Sequence, residues 1–342
     1  FNHHGVRHRK GDPLRCCVVS PYPPERCGIA FYTADLVKEL IKHVNVVVIA
    51  NKNGLSKTSE EDHVKIIRCW RRNDPFYIFQ ILREVLREKP DIIHVQHEYL
   101  AYGVRKYAVL FLALLFLLRL TLRPIIVTMH SVLPKSELTS HFFLLHGVGH
   151  RLALVKKAVT FLLTQLIGRL SHAIIVHNGF MRDLLISDYV FDEERTYVIP
   201  HGVNVPFDKM EQKMAKITLG LNGKKIVLFF GFIMPGKGLE CLIKAFPAVL
   251  QKYPSATLII MGEDHPRLSK ENPTYLGAIE KLISKGKLKT KVLFRNVFVP
   301  KEELCMHISA ADVIVLPYVD RSIVGGSGTL ATCAPFGKPT IA

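Results

Sequence analysis

The chain has 342 residues, 49% hydrophobic and 22% charged, which suits two ordinary domains with packed cores and excludes a disordered, collagen-like or low-complexity protein. Forty-six Lys and Arg against 29 Asp and Glu leave a net charge of +17, which implies an anionic partner: a nucleotide phosphate, an anionic lipid surface or nucleic acid. No zinc finger, RNA-recognition signature or basic zipper accompanies that charge, so nucleic acid is set aside.

Residues 1–13 show no periodicity and read as a disordered arm. From residue 14 onward, short β-branched runs at Cys16–Ser20, Val44–Ala50, Ile92–Val95, Ile125–Thr128 and Ala173–His177 alternate with longer helical patterns. Such alternation predicts a parallel sheet with helices on both faces. After Gly28, Ala30, Ala34, Val37 and Ile41 recur at helical spacing, while Lys38, Glu39 and Lys42 fall on the opposite side. Tyr107 to Leu118, bracketed by Lys106 and Arg119, is shorter than the roughly 20 residues a spanning helix needs. It reads as a buried helix or one that inserts into a surface. His150 to Leu170 mixes Arg151, Lys156, Lys157 and Arg169 with many apolar residues. Two readings fit it: an amphipathic helix lying on anionic lipid, or a domain helix with a solvated basic face.

Near Val198–Asn204 the pattern breaks, and Val205 to Asn222 is polar with weak periodicity. A hinge placed there gives a first domain over 14–205 and a second over 206–342. The second domain repeats the alternation, with strands at Lys225–Gly231, Ala256–Met261, Val292–Phe294 and Asp312–Pro317. Its helices are expected at Leu239–Tyr253, Tyr275–Lys285 and Glu302–Ala311. The last residues, Gly337–Ala342, read as the start of another strand, so the second domain reads as incomplete.

Two glycine-rich turns, Gly231 to Gly238 and Gly325 to Thr329, each follow an apolar strand pattern and open a helical one. Glycine lets backbone amides approach an anion, and a helix start directs unpaired N–H groups toward it. Lys237, beside Gly236, adds a full charge. With a third turn at Cys27-Gly28-Ile29-Ala30, the pattern predicts a cleft that closes on a diphosphate, beyond the carboxyl ends of the strands. Seven cysteines show no CxxC and no ligand spacing with histidine. They read as reduced thiols in a cytoplasmic protein without a metal site.

Six motifs follow one another along the chain: 20–30 (SPYPPERCGIA), 92–98 (IIHVQHE), 126–131 (IVTMHS), 198–203 (VIPHGV), 230–239 (FGFIMPGKGL) and 317–322 (PYVDRS) through the Gly337-Lys-Pro339 turn. On these residues rests a resemblance to glycosyltransferases of the GT-B fold, in particular the large group called family 4. It implies two Rossmann-like doubly wound domains facing across a cleft. It also implies transfer of a hexose, mannose- or glucose-type, from a nucleotide-diphosphate sugar, with retained configuration and neither cofactor nor metal. The basic balance adds an acceptor that is a lipid-linked or cell-envelope glycan, met at the inner membrane face.

Carried over position by position, the resemblance assigns catalysis to His130, Lys237 and Glu98. His130 contacts the donor sugar, Lys237 the phosphate, and Glu98 orients the acceptor or takes its proton. Donor binding falls to Gly28, His201, Gly236, Lys237, Ser327, Gly328 and Thr329. His97 and His201 either border the donor or are satisfied core histidines; Asn178 and Arg321 are further candidates. Three positions depart from the family. Phe232 stands where many members carry an arginine, and Val324 and Thr332 stand where many carry glutamates for the sugar and ribose. These departures support an alternative, a catalytically inactive sugar-nucleotide-binding homologue that partners another transferase.

Overall fold

Val46 to Ala50 and Ile226 to Phe230 are runs of apolar residues buried at every position, as parallel strands covered on both faces require. A computed structural model describes residues 13–55, 57–99, 101–103, 106–139, 153–203, 210–264, 274–319 and 324–342. The expected arm 1–13 lies outside them except for its last residue. The chain divides into two compact units, Phe1–Gly202 with Ser322–Gly326, and Val203–Arg321 with Ser327–Ala342.

The first unit runs β1 (Arg15–Val19), α1 (Gly28–Leu40), β2 (Asn45–Asn51), β3 (Thr58–Glu61), β4 (Val64–Trp70), α2 (Tyr77–Glu88), β5 (Ile92–His97), α3 (Lys106–Arg119), β6 (Ile125–Met129), β7 (Ser131–Val132), α4 (Ala153–Leu170), β8 (Ala173–Val176), α5 (Gly179–Tyr189) and β9 (Thr196–Val198). Its sheet has the order β3-β4-β2-β1-β5-β6-β8-β9, parallel throughout except for β3 against β4. One face carries Cys17, Val19, Ile93, Val95, Val127 and Val176 under Ile81, Leu114, Leu118, Ile167 and Leu185 of α2 to α5. On the other face Val18, Val48 and Ile66 pack with Val37 of α1. The strand 64–70 and the helix 77–88 are elements that the sequence reading left out.

The second unit runs α6 (Gln212–Thr218), β10 (Lys225–Phe230), α7 (Leu239–Lys252), β11 (Ala256–Gly262), α8 (Tyr275–Lys285), β12 (Val292–Asn296), α9 (Lys301–Ala310) and β13 (Val313–Val315). The chain then enters β14 (Val324–Gly325), which belongs to the first unit, before α10 (Gly328–Cys333) and β15 (Thr340–Ile341). The second sheet, β12-β11-β10-β13-β15, is entirely parallel. Val227, Phe229, Leu258 and Ile260 face Ile243, Phe246 and Ile279; Ile226, Leu228, Ile259 and Met261 face the side holding Ile308 and Cys333. Both units are α/β layers with helices on both faces of a parallel sheet, as the alternation of runs predicts.

Part of the polar stretch expected to form the hinge is helix α6. The Glu211 carboxylate caps it, accepting from the amides of Lys213 and Met214 at 3.3 Å. Asp312 then ties it to the sheet: its Oδ2 accepts from Lys216 Nζ at 2.7 Å and from the Ile226 amide at 2.6 Å. The helix rests on these polar anchors and on buried Ala215, which is why hydrophobic periodicity gives it no signal.

Candidate functional site

Strand alternation builds the site of the first unit. On β5, Ile93, Val95 and His97 share one face, so His94 and Gln96 share the other. By the same period Thr128 and His130 follow Val127 and Met129 on β6, and His177 follows Val176 on β8. Neighbouring strands therefore bring His94, Gln96, Thr128, His130 and His177 together at the carboxyl end of the sheet, where open α/β sheets bind ligands.

These side chains form a continuous chain of hydrogen-bonding contacts. His94 Nε2 lies 2.8 Å from Thr128 Oγ1, and the Gln96 amide lies 3.1 Å from that nitrogen and 2.8 Å from His130 Nε2. His130 Nδ1 lies 3.1 Å from His177 Nε2, and His177 Nδ1 donates to the Ile199 carbonyl at 3.1 Å. Tyr32 of α1 stands edge-on to three imidazoles, with ring centroids 4.7 Å from His130, 5.2 Å from His177 and 4.9 Å from His201. Burial, with the rings of His177 and His201 close by, holds His130 well below the usual histidine range. Burial also lowers His177 and His201, though hydrogen bonds to backbone oppose it in both. The cluster is therefore neutral near pH 7, a set of hydrogen-bonding groups without charge.

The expected residues divide on this geometry. His130 and His201 lie in the cluster. His97 is a core histidine, packed on Phe111 at 4.6 Å and Tyr99 at 5.3 Å, with its carbonyl accepting from the His130 amide. Glu98 follows β5 directly, at the same strand end. Gly28 opens α1 behind Cys27, whose Sγ accepts from the Ala30 amide, and a Cβ on Gly28 would meet nothing within 4 Å. Asn178 caps α5, accepting from the Met181 amide at 2.8 Å. Arg321 lies outside the described residues. His94, Gln96, His177 and Tyr32 are functional candidates that the motif reading missed; the two-residue period of β5 and the strand-end position of His177 were the available signals.

Gly325 and Gly326 have a steric role apart from any phosphate. β14 pairs with β7, Val324 opposite Val132 and Gly325 opposite Ser131. A Cβ on Gly325 would fall 2.9 Å from the His130 carbonyl, and one on Gly326 would fall 2.7 Å from His177 Cβ. These glycines let the backbone lie directly on the two histidines.

The second unit builds its own constellation at the carboxyl ends of β10 and β13. Gly231, Gly236 and Gly238 have φ of +128°, +88° and +70°, the region that glycine enters without strain. A Cβ on Gly238 would lie 1.7 Å from the Pro317 carbonyl oxygen; the turn closes only around a bare α-carbon. The Val319 amide donates to the Gly236 carbonyl at 3.0 Å, and Lys237 Nζ sits 3.9 Å from the Tyr318 ring centroid. The point where a Gly231 Cβ would stand is 3.3 Å from Thr329 Oγ1, so the first turn meets the start of α10. Ser327 caps that helix, its Oγ accepting from the Leu330 amide at 3.1 Å, and Gly328 is its first residue.

Two of the departing positions have other occupations. Val324 packs partly against the core of the first unit, and the Thr332 hydroxyl donates to the Gly328 carbonyl at 2.8 Å. Neither supplies a carboxylate. Among the described residues, no group of three or more His, Cys, Asp and Glu is arranged to hold a metal ion.

Residues 27–206 match Glycosyltransferase Family 4, and residues 224–342 match Glycosyl transferases group 1. An uncharacterized glycosyltransferase of Methanocaldococcus jannaschii, MJ1607, is 29% identical over 153 residues, 43% of this chain and 36% of its own. YqgM of Bacillus subtilis, also an uncharacterized glycosyltransferase, is 25% identical over 309 residues, 89% of this chain and 72% of its own. Thus the match spans little more than a third of the first relative's length. Sucrose-phosphate synthase from Thermosynechococcus elongatus superposes with a TM-score of 0.71 at 19% identity, covering 96% of this chain and 80% of that one. Anabaena HepE, solved with UDP, gives 0.66 at 16% identity with the same coverage. These two structures share the fold.

Proposed function

The chain belongs to glycosyltransferase family 4, and on that premise we propose that it is a retaining transferase that moves a hexose of mannose or glucose type. The donor is a nucleotide-diphosphate sugar and the acceptor a lipid-linked or cell-envelope glycan. The protein works in the cytoplasm, peripherally at the inner membrane face.

The observation that carries this reading is the meeting of the two glycine turns in the second unit. Gly231 stands against Thr329, and Gly236 and Lys237 follow in the same turn. A glycosyl donor breaks its C1–O bond as negative charge builds on the departing diphosphate, and fixed donors facing that charge lower the barrier. Lys237 supplies the positive charge, with Gly236, Ser327, Gly328 and Thr329 as the close-approach and hydrogen-bonding groups around it. In this reading these cationic and polar groups take the place of a metal.

At the sugar, positive charge builds on the ring, as in other glycosyl transfers. A neutral His130 can accept or donate a hydrogen bond there without opposing that charge. Both of its ring nitrogens already have partners within reach, so a sugar hydroxyl that bonds to the ring replaces Gln96 or His177. His201 borders the donor beside it, Gly28 admits the phosphate, and Glu98 orients the acceptor or takes its proton. HepE was solved with UDP and with UDP-glucose, which supports a uridine donor as the first to try and GDP-mannose as the second.

Incubation with each donor and a membrane lipid extract, followed by NMR of the product, tests the reaction. An anomeric configuration equal to the donor's is expected; inversion contradicts the retaining assignment. The Val324 and Thr332 substitutions favour a second reading, a non-catalytic sugar-nucleotide-binding partner of another transferase. Donor binding without transfer to any acceptor would decide for it.

A further inference from the structure

We propose that the outer face of α2, α3 and α4 docks on an anionic lipid bilayer. The inference rests on the proposed membrane-borne acceptor and names the surface that reaches it. Beneath, these helices contribute Ile81, Leu114, Leu118 and Ile167 to one core, and α3 packs against both α2 and α4. Outward, each presents apolar side chains two turns apart: Phe79 and Leu86, Val109 and Phe116, Val155 and Leu162. Residues seven apart lie on one side of a helix. Phe79, Phe116 and Leu162 are 55%, 54% and 51% exposed. A solvated surface helix would carry polar residues there, and contiguous apolar patches with polar rims mark docking surfaces.

Charge selects the occupant. From Leu100 to His172 the sequence holds nine Lys and Arg and a single acidic residue, Glu137. On α2, Arg83 and Arg87 are exposed and share the buried carboxylate of Glu84, leaving that helix edge cationic. Exposed apolar side chains on helices that also carry Arg83, Arg87, Lys156 and Lys157 fit the interface of an anionic bilayer, with the former among the acyl chains and the latter at the phosphates. Among the described residues no helix is long and apolar enough to cross a membrane, so the contact is a surface one.

Co-sedimentation with phosphatidylcholine vesicles, with and without 30% phosphatidylglycerol, tests the surface without any turnover. Wild type should bind the anionic vesicles and lose binding as salt rises. Phe79→Ser, Phe116→Ser and Leu162→Ser together should weaken it at least tenfold with the thermal midpoint held. Lys156→Gln with Lys157→Gln should weaken it about fivefold per charge, on anionic vesicles only. Undiminished binding by the triple serine variant would overturn the proposal. So would absence of wild-type binding, or a wild-type dimer that the serine variant dissolves without any vesicle binding. Transfer to a soluble acceptor, measured alongside, separates failure of this surface from failure of the proposed reaction.

Discussion

His130 Nδ1 lies 3.1 Å from His177 Nε2, and this contact fixes the proton positions of both rings. His177 Nδ1 faces the Ile199 carbonyl, which only accepts, so that nitrogen carries a proton. In a neutral ring Nε2 is then an acceptor, and His130 must donate to it from Nδ1. His130 Nε2 is left with a lone pair, and Gln96 Oε1, 2.8 Å away, also only accepts; the order therefore requires the amide reversed, with its NH2 toward His130 and its carbonyl toward His94. Ring-nitrogen NMR at pH 7.5 should find both His130 and His177 as Nδ1–H tautomers. A proton on His130 Nε2 would contradict this order.

Gln96→Leu removes the group between two imidazoles and leaves His130 Nε2 without its partner, while His94 Nε2 keeps Thr128 Oγ1 at 2.8 Å. An unsatisfied buried polar atom costs about 1–3 kcal/mol, so urea unfolding should show a loss of that size. If Gln96 also positions His130 for the sugar, kcat should fall more than donor KM rises, and Gln96→Glu should alter the pH profile of turnover. A stability loss with unchanged kcat would limit Gln96 to the fold.

Acid should destabilise the first unit through two histidines. Burial pushes His94 down to about 4 and His97 to about 3, against about 6.5 in an unfolded chain. Between those values and 6.5 the unfolded state binds more protons, so stability is held above pH 6.5 and lost as pH falls toward 4. At pH 5 each histidine accounts for about 2 kcal/mol of that loss. Thermal midpoints from pH 7.5 to 4.5 should fall, and His97→Phe, set among Phe111 and Tyr99, should flatten the slope. An unchanged slope would place the acid sensitivity elsewhere.

The glycines should separate by role. Gly238→Ala meets the Pro317 carbonyl at a positive φ, and a clash with backbone in the left-handed region should cost several kcal/mol, on the order of the larger single-residue effects. Gly28→Ala meets nothing within 4 Å and lies at the start of a helix, so the thermal midpoint should hold or rise slightly. If Gly28 admits a phosphate, the same substitution should raise donor KM severalfold. Stability unchanged with KM unchanged would remove Gly28 from the site.

Much of this was legible because parallel strands buried on both faces read as unbroken β-branched runs, and because the turn glycines stand at fixed strand ends. That route leads to Lys237 and Thr329 as candidates. The histidine chain was harder, since His97 and His201 look alike in sequence while only alternation along β5 turns His97 into the core and Gln96 toward His130. Gly325 and Gly326 read as phosphate turns, but their small size also admits backbone onto His130 and His177, a contact between segments nearly 200 and 150 residues apart. Helix α6 was illegible for a similar reason: Asp312 holds it from almost 100 residues away. The 64–70 strand and 77–88 helix did carry their patterns, in Ile66, Ile67, Ile78, Ile81 and Val85.

In the proposed reaction the second unit holds a nucleotide diphosphate around Lys237. Thermal shift with GDP, UDP and ADP, on wild type and Lys237→Ala, tests it most directly, because a ligand bound only by the folded state raises the midpoint. A rise with one nucleotide that disappears in the variant is expected. No rise with any of the three, or an equal rise in Lys237→Ala, would contradict it.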